Sequence, residues 1–143
     1  MKKLLLLTGI LACMWACSKD ADKVVELEGE VLAIHDEVMP RMEDIMALKS
    51  QLTKKLKTLD SLQNEGISGN DMAQDRTKVM ELSSSLDESY NLMMNWMHEY
   101  KGDSAKKLNS QEAISYFENE KKKILSVKDL SKKSIDEAKL YLD

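Results

Sequence analysis

Apolar residues recur every seven positions along the first part of the chain, and that spacing limits the possible fold more than any other feature. Counting from Val24, the column Val24, Val31, Val38, Ile45, Leu52 and Leu59 is apolar throughout. Its companion column is Leu27, Ile34, Arg41, Leu48, Lys55 and Leu62, apolar apart from Arg41 and Lys55. Two such columns, three residues apart, form the stripe of a helix that packs lengthwise on another helix. A third column, Val25, Leu32, Met39 and Met46, is apolar only in the N-terminal half. There the apolar arc is wide enough to meet two partner helices. The pattern predicts a helix from about Asp22 to Leu62. Pro40 sits inside it without the amide that would bond back to Asp36. A kink is expected there, with a helix boundary as the alternative.

Two further helices follow from the same reasoning. Gln63 to Asn70 reads as a turn, with Gly66 and Gly69 as breakers. A second helix is predicted from about Asp71 to Lys101. Its column by sevens is Met72, Val79, Leu86, Met93 and Tyr100, flanked by Leu82, Tyr90, Trp96 and Met97. Gly102 is expected to stop this helix and Ser110 to cap the next one. The third helix runs to about Leu142, with Ile114, Phe117, Ile124, Val127, Ile135, Ala138 and Tyr141 inward. Short turns between long helices make neighbours antiparallel. The expected fold is therefore all-α, an up-down-up antiparallel three-helix bundle of long, coiled-coil-like helices with the first helix kinked near Pro40. Scarce glycine and proline, with 32% charged residues, suit long helices. No βαβ pattern, fixed-period repeat or low-complexity tract is present.

The N-terminus has a different logic. Lys2 and Lys3 precede the apolar run Leu4 to Ala12, and a small residue and a cysteine follow. This is the charged, apolar, small-residue order of a secretory signal. The run is too short to span a bilayer, which takes about 20 residues. Alanine precedes both Cys13 and Cys17, as in the bacterial lipobox. Ile10-Leu11-Ala12-Cys13 fits the lipobox letters better but leaves a very short signal. Met14-Trp15-Ala16-Cys17 fits the letters less well, yet it gives an ordinary length and the chain turns polar at once. Length outranks letters in reading signals, so Cys17 is the expected lipid-bearing residue, with Cys13 as the alternative. The expected organisation is a signal peptide over residues 1–16, a short tether over 17–22 and a helical bundle over 23–143. Both cysteines of the chain lie in this region. With Cys17 lipidated and Cys13 removed, the mature chain would have no thiol for a disulfide, a nucleophile or a zinc site.

Charge and motif content narrow the functional classes. The net charge is −4, and it becomes −6 when Lys2 and Lys3 leave with the signal. A mildly acidic chain without a basic stripe is not expected to bind nucleic acid. Nor would it hold anionic lipid by charge, so membrane attachment would rest on the N-terminal lipid. No glycine-rich phosphate loop and no serine in a nucleophile-elbow context are present, and the chain has two histidines. No enzymatic activity and no resident cofactor are expected.

One constellation allows an alternative. His35 and Met39 are four apart, as are Met94 and His98. In an antiparallel hairpin, residues at one level share the same number sum. His35 with His98 and Met39 with Met94 have equal sums, centred on the turn at Gly66. Thioether and imidazole suit Cu(I), and both serve haem iron in helical bundles. Against this, His98 falls outside the apolar arc of its helix, and the many methionines serve equally well as flexible core filler. Asp36, Glu37, Glu43 and Asp44 could add carboxylates, but they lack an EF-hand spacing and read as a solvated face. Lys121, Lys122 and Lys123 likewise read as a solvated face beside Glu118 and Glu120.

Ile34-His35-Asp36-Glu37-Val38-Met39-Pro40-Arg41-Met42 and Leu92-Met93-Met94-Asn95-Trp96-Met97-His98-Glu99-Tyr100, together with the signal, resemble a group of small Bacteroidota lipoproteins. Members of that group are often labelled "viral A-type inclusion protein", which reflects general coiled-coil similarity. Ser18-Lys19-Asp20-Ala21-Asp22 also resembles the start of mature Bacteroidota lipoproteins, where such residues go with export to the cell surface. The helical pattern and the anchor together lead to the expectation of a lipid-anchored structural or interaction protein of the cell envelope, with an unknown envelope protein partner. The resemblance implies an outer-membrane or surface location. It brings no activity and no functional residue. Mass spectrometry of the N-terminal lipopeptide is expected to show a mature chain beginning at Cys17. A chain beginning at Cys13 would overturn the length argument.

Overall fold

A computed structural model describes the backbone of residues 2–67 and 69–143, and the side chains of residues 19–67 and 69–143. Residues 1–16, Cys13 and Cys17, on which the signal and lipidation expectations rest, lie outside the described side chains. The protein is all-α. Its helices are α1 (Lys2–Val38), α2 (Arg41–Asn64), α3 (Asn70–Glu99), the single turn α4 (Gly102–Ala105) and α5 (Ser110–Leu142).

The seven-residue column is the inner edge of α1 and α2. Val31, Val38, Ile45 and Leu52 are fully buried, and Val24 and Leu59 nearly so. The column stays buried across Pro40, so the helical phase survives the break. Pro40 itself is in the right-handed helical region. Beyond it, Met42 N–H donates to the Met39 carbonyl at 3.1 Å and Glu43 N–H to the Pro40 carbonyl at 3.3 Å. These three-residue steps pair the Met42 and Glu43 amides and carry the chain into α2, although proline itself makes no bond back. The helix predicted as one piece is thus two segments on one seam.

The α2–α3 turn ends α2 in a Schellman motif. Ile67 N–H donates to the Leu62 carbonyl and Gly66 N–H to the Gln63 carbonyl, at 3.0 and 3.1 Å. Closing both bonds needs a left-handed residue at Gly66, whose φ is 81°.

The other end of α3 departs from the sequence expectation. The helix stops at Glu99, and Tyr100 takes an extended conformation with ψ 125°. Gly102 does not end α3; it opens α4, and its φ is not positive. A Cβ at Gly102 would lie 2.7 Å from the Tyr100 hydroxyl, so the glycine is there for close approach. Likewise Asn109, not Ser110, caps α5: its side-chain oxygen accepts from Glu112 N–H at 3.0 Å. Asparagine caps as well as serine, so residue type does not separate the two adjacent positions.

Ion pairs record how the helices run. Glu30–Lys121 and Glu37–Lys128 are each separated by 91 residues, and Asp44–Lys139 by 95. A near-constant offset means that α5 runs in the direction of α1 and α2. Lys49–Asp87 and Asp60–Arg76, between α2 and α3, share one residue-number sum, as antiparallel neighbours do. α5 packs against α1, α2 and α3. On α3 and α5, Val79, Leu82, Leu86, Met93, Trp96, Ile124, Val127, Ile135 and Ala138 complete the main core. Small residues let α3 and α5 approach closely. Buried Ser89 and Ser134 join hydroxyl to hydroxyl at 2.9 Å, and Ser89 also donates to the Ser85 carbonyl.

Gly66→Ala forces a Cβ into the left-handed region. It is expected to destabilise the protein by about 1 kcal/mol, read from the midpoint of chemical denaturation.

Candidate functional site

The His/Met constellation sits where α1 passes into α2 alongside the C-terminal part of α3. Met39 and Met94 are half-buried and pack against the main core. His35 is half-buried, with its ring 5.9 Å from that of Trp96 on α3. Its Nδ1 lies 2.9 Å from a carboxylate oxygen of exposed Asp36. His98 is exposed. It stands two residues beyond the buried Trp96, and two residues turn a helix by about 200°. Its imidazole therefore leaves α3 on the side away from Trp96 and His35. The structure turns His35 toward Trp96 and packs Met39 and Met94 against the main core, but sets His98 on the outer flank. Holding one ion among all four would require His98 to leave that flank. Among the described residues, no group of three or more histidine, cysteine, aspartate or glutamate side chains is placed to hold a metal ion.

The acidic and lysine groups are largely taken up by ion pairs. Glu37 meets Arg41 at 3.0 Å and Lys128 at 2.7 Å. The bond from Lys128 holds its carboxyl below the usual carboxylate range. Asp44 meets Lys139, Lys121 meets Glu30 and Lys123 meets Glu120. Glu120 is 4% exposed and shares a 2.8 Å contact with Lys123, so its charge is balanced at the edge of the core.

Sequence reading missed an aromatic row at the top of α3. Rings pass from His35 to Trp96, Tyr100, Tyr116 and Phe117, with successive centroids 5.9, 5.0, 6.3 and 5.2 Å apart. Such separations lie in the range of favourable aromatic pairs. Tyr100 packs against both the main core and a smaller one made by Val24, Leu27, Ala105, Ala113 and Phe117. Lys101 N–H donates to the Tyr116 hydroxyl at 2.6 Å, which satisfies an amide left over where α3 ends. Nearby, Lys106 of the α4 turn pairs with Glu28 of α1 at 2.9 Å. The row thus joins α1, α3 and α5. Its signal in the sequence was the pair Tyr100 and Gly102, read as a helix stop and not as a ring lying on a glycine.

Two atoms of this row have no protein partner among the described residues, the Trp96 indole N–H and the Tyr100 hydroxyl. Burial pushes the Tyr100 hydroxyl up to about 12, helped by the negative charge of Glu28. Burial raises Tyr116 as well, opposed by its bond from the Lys101 backbone. Comparison with protein-family models, curated proteins and solved structures finds no match to this chain.

The raised Tyr100 value has a sign that can be measured. Folded Tyr100 holds its proton above 10.0, the ordinary tyrosine value, up to about 12. Its contribution to stability is whole below pH 10 and is lost as pH rises from 10 to about 12. Tyr100→Phe removes the titrating group, so alkaline unfolding followed by circular dichroism is expected to fall less steeply over that window.

Proposed function

We propose that this chain is a lipid-anchored structural and interaction module of the bacterial cell envelope, without catalytic activity. In this reading Cys17 carries the lipid, the outer membrane holds the protein, and α1/α2, α3 and α5 form an up-down-up three-helix bundle. The bundle binds an envelope protein through its helical faces.

The observation that carries the reading is the way side chains are used. The apolar columns are spent on helix packing, and Glu37, Asp44 and Lys121, three of the charged groups first suspected of chemistry, are spent on inter-helix ion pairs. Val31, Val38, Ile45, Leu52, Val79, Leu86 and Phe117 are fully buried, while Glu30, Glu37 and Asp44 are matched by lysines of α5. A rod built this way presents long faces, not a cleft with converging polar groups. The charged-apolar-cysteine order of the N-terminus supports the anchor. Among the described residues no helix is long and apolar enough to cross a membrane. Stable anchoring takes more than one acyl chain, and a mature bacterial lipoprotein carries three.

In cells of the source bacterium, Cys17→Ser is expected to move the protein out of the membrane fraction. Crosslinking from the tagged, lipidated protein is expected to recover an envelope protein. Retention of Cys17→Ser in the membrane overturns the anchor. Recovery of no envelope protein, together with an unaltered envelope on deletion, overturns the interaction role.

A further inference from the structure

Among the described residues, the buried polar side chains are Ser89, Ser131, Ser134 and Glu120. Glu120 is balanced by Lys123 at the edge of the core. The three serines stand together inside it. The Ser89 and Ser134 hydroxyls are 2.9 Å apart, Ser89 reaches back to the Ser85 carbonyl at 2.9 Å, and Ser134 to the Ser131 carbonyl at 3.1 Å. A serine hydroxyl carries one proton, so two protons serve three contacts and no single arrangement satisfies them all. The Ser131 hydroxyl, fully buried, has no partner among the described residues. A buried polar group without a partner favours any rearrangement that supplies one.

Ion pairs fix the level of this cluster along the bundle. Glu37–Lys128 lies on one side of it and Asp44–Lys139 on the other. Between Lys128 and Lys139 on α5 stand Ser131 and Ser134; between Glu37 and Asp44 on the first seam stands Pro40. The proline break and the buried serines therefore share one level. The separation of the paired residues changes from 91 to 95 across it, so α5 holds a different register on its two sides.

At that level each helical rod carries a bending element. In α1–α2 it is Pro40, which gives the Asp36 carbonyl no amide. In α3 and α5 it is Ser89 and Ser134, whose hydroxyls bond back to carbonyls of the preceding turn, a contact that bends helices. Thr53, Thr58 and Thr77 bond back in the same way, but from exposed positions. The serines differ in occupying core positions, where a large side chain would otherwise lock the packing. Met39 and Met42 flank Pro40, and Met93 follows Ser89 by one turn; all three pack in the main core. Unbranched thioethers repack readily. Away from this belt the core is branched or aromatic, with Val31, Phe117 and Ile124 toward the α4 end and Leu52, Val79 and Leu82 toward the Gly66 turn.

We propose that the belt of Pro40, Ser89, Ser131 and Ser134 is a hinge, about which the half of the bundle carrying α4 tilts against the half carrying the Gly66 turn. Each half is held as a unit by its own ion pairs. Glu30–Lys121 and Glu37–Lys128 join α1 to α5 on one side, and Lys49–Asp87 and Asp60–Arg76 join α2 to α3 on the other. Hinges of this kind concentrate a domain motion in a few residues. The hinge does not depend on how the chain is anchored.

Distances between paired spin labels test the hinge in the full-length chain, with Cys13→Ser and Cys17→Ser so that introduced thiols alone are labelled. Ala33→Cys with Thr58→Cys spans the belt along α1–α2, about 38 Å by helical rise. Ala33→Cys with Lys78→Cys spans it from α1 to α3. Ala47→Cys with Ser61→Cys stays on the Gly66 side. All five positions are exposed. Both spanning distance distributions are expected to be about twice as wide as the one that stays on one side. Pro40→Ala with Ser131→Ala is expected to narrow both by roughly a third or more, because it restores the amide and removes the unpartnered hydroxyl. Far-UV circular dichroism checks folding, and Pro40→Ala alone, at an exposed position, is expected to narrow both in part if the double variant loses helicity. Spanning distributions as narrow as the one-sided pair overturn the hinge. So does breadth in the Ala33–Thr58 pair without breadth in Ala33–Lys78, which means that α2 moves without α3. Widths that neither variant changes overturn the assignment to this belt.

Discussion

Burial of the Val31–Val38–Ile45–Leu52 seam is the interaction on which the other features of this protein depend. Each of these side chains is fully buried, and such burial stabilises by about 1.5–3 kcal/mol per residue. A seven-residue period keeps one edge of a long helix turned toward its neighbours. That edge has to cross Pro40, where a helix would ordinarily lose a bond and bend away. The three-residue steps at Met42 and Glu43 absorb the break locally. The buried column resumes in phase at Ile45, so α1 and α2 share the same packing surface.

With that seam in place, charge decides alignment more than stability. The pairs along the α1–α5 and α2–α3 borders are partly or largely exposed, and exposed pairs contribute about 0–1 kcal/mol each. Their regular offsets penalise a slipped register, because a shift would bring like charges together. The two sides of α1–α2 differ accordingly. The flank facing α5 is charged and matched, whereas the flank bordering α3 is apolar toward the N-terminal end and lacks a third helix to cover it.

The aromatic row at the end of α3 shows what a seam alone cannot supply. A bundle of long helices must close its ends, and here the chain turns sharply through Tyr100 and Gly102. The Tyr100 ring fills the space a Cβ at Gly102 would need, and the Tyr116 hydroxyl takes the exposed Lys101 amide. The cost is a buried Tyr100 hydroxyl without a protein partner among the described residues. The ring's contacts with both cores offset that cost.

Much of this fold was legible in the residues. The apolar columns located the long helices, because a period of seven has one structural meaning over five or six repeats. Gly66 marked its turn, since a left-handed residue is what a Schellman closure demands. Other features needed three dimensions. Asn109 and Ser110 are chemically equivalent caps, and only the path of the chain chose Asn109. His35 and His98 stand at neighbouring levels by arithmetic, yet level says nothing about direction around a helix. The Trp96 contact turned His35 inward, and the position of Trp96 in the core left His98 outside. The sequence by itself determined that the chain is helical and where its apolar stripes lie, because periodicity is a local property. The tertiary structure decided which stripe is covered and which side chains meet, because those depend on the angle at which each helix faces its neighbours.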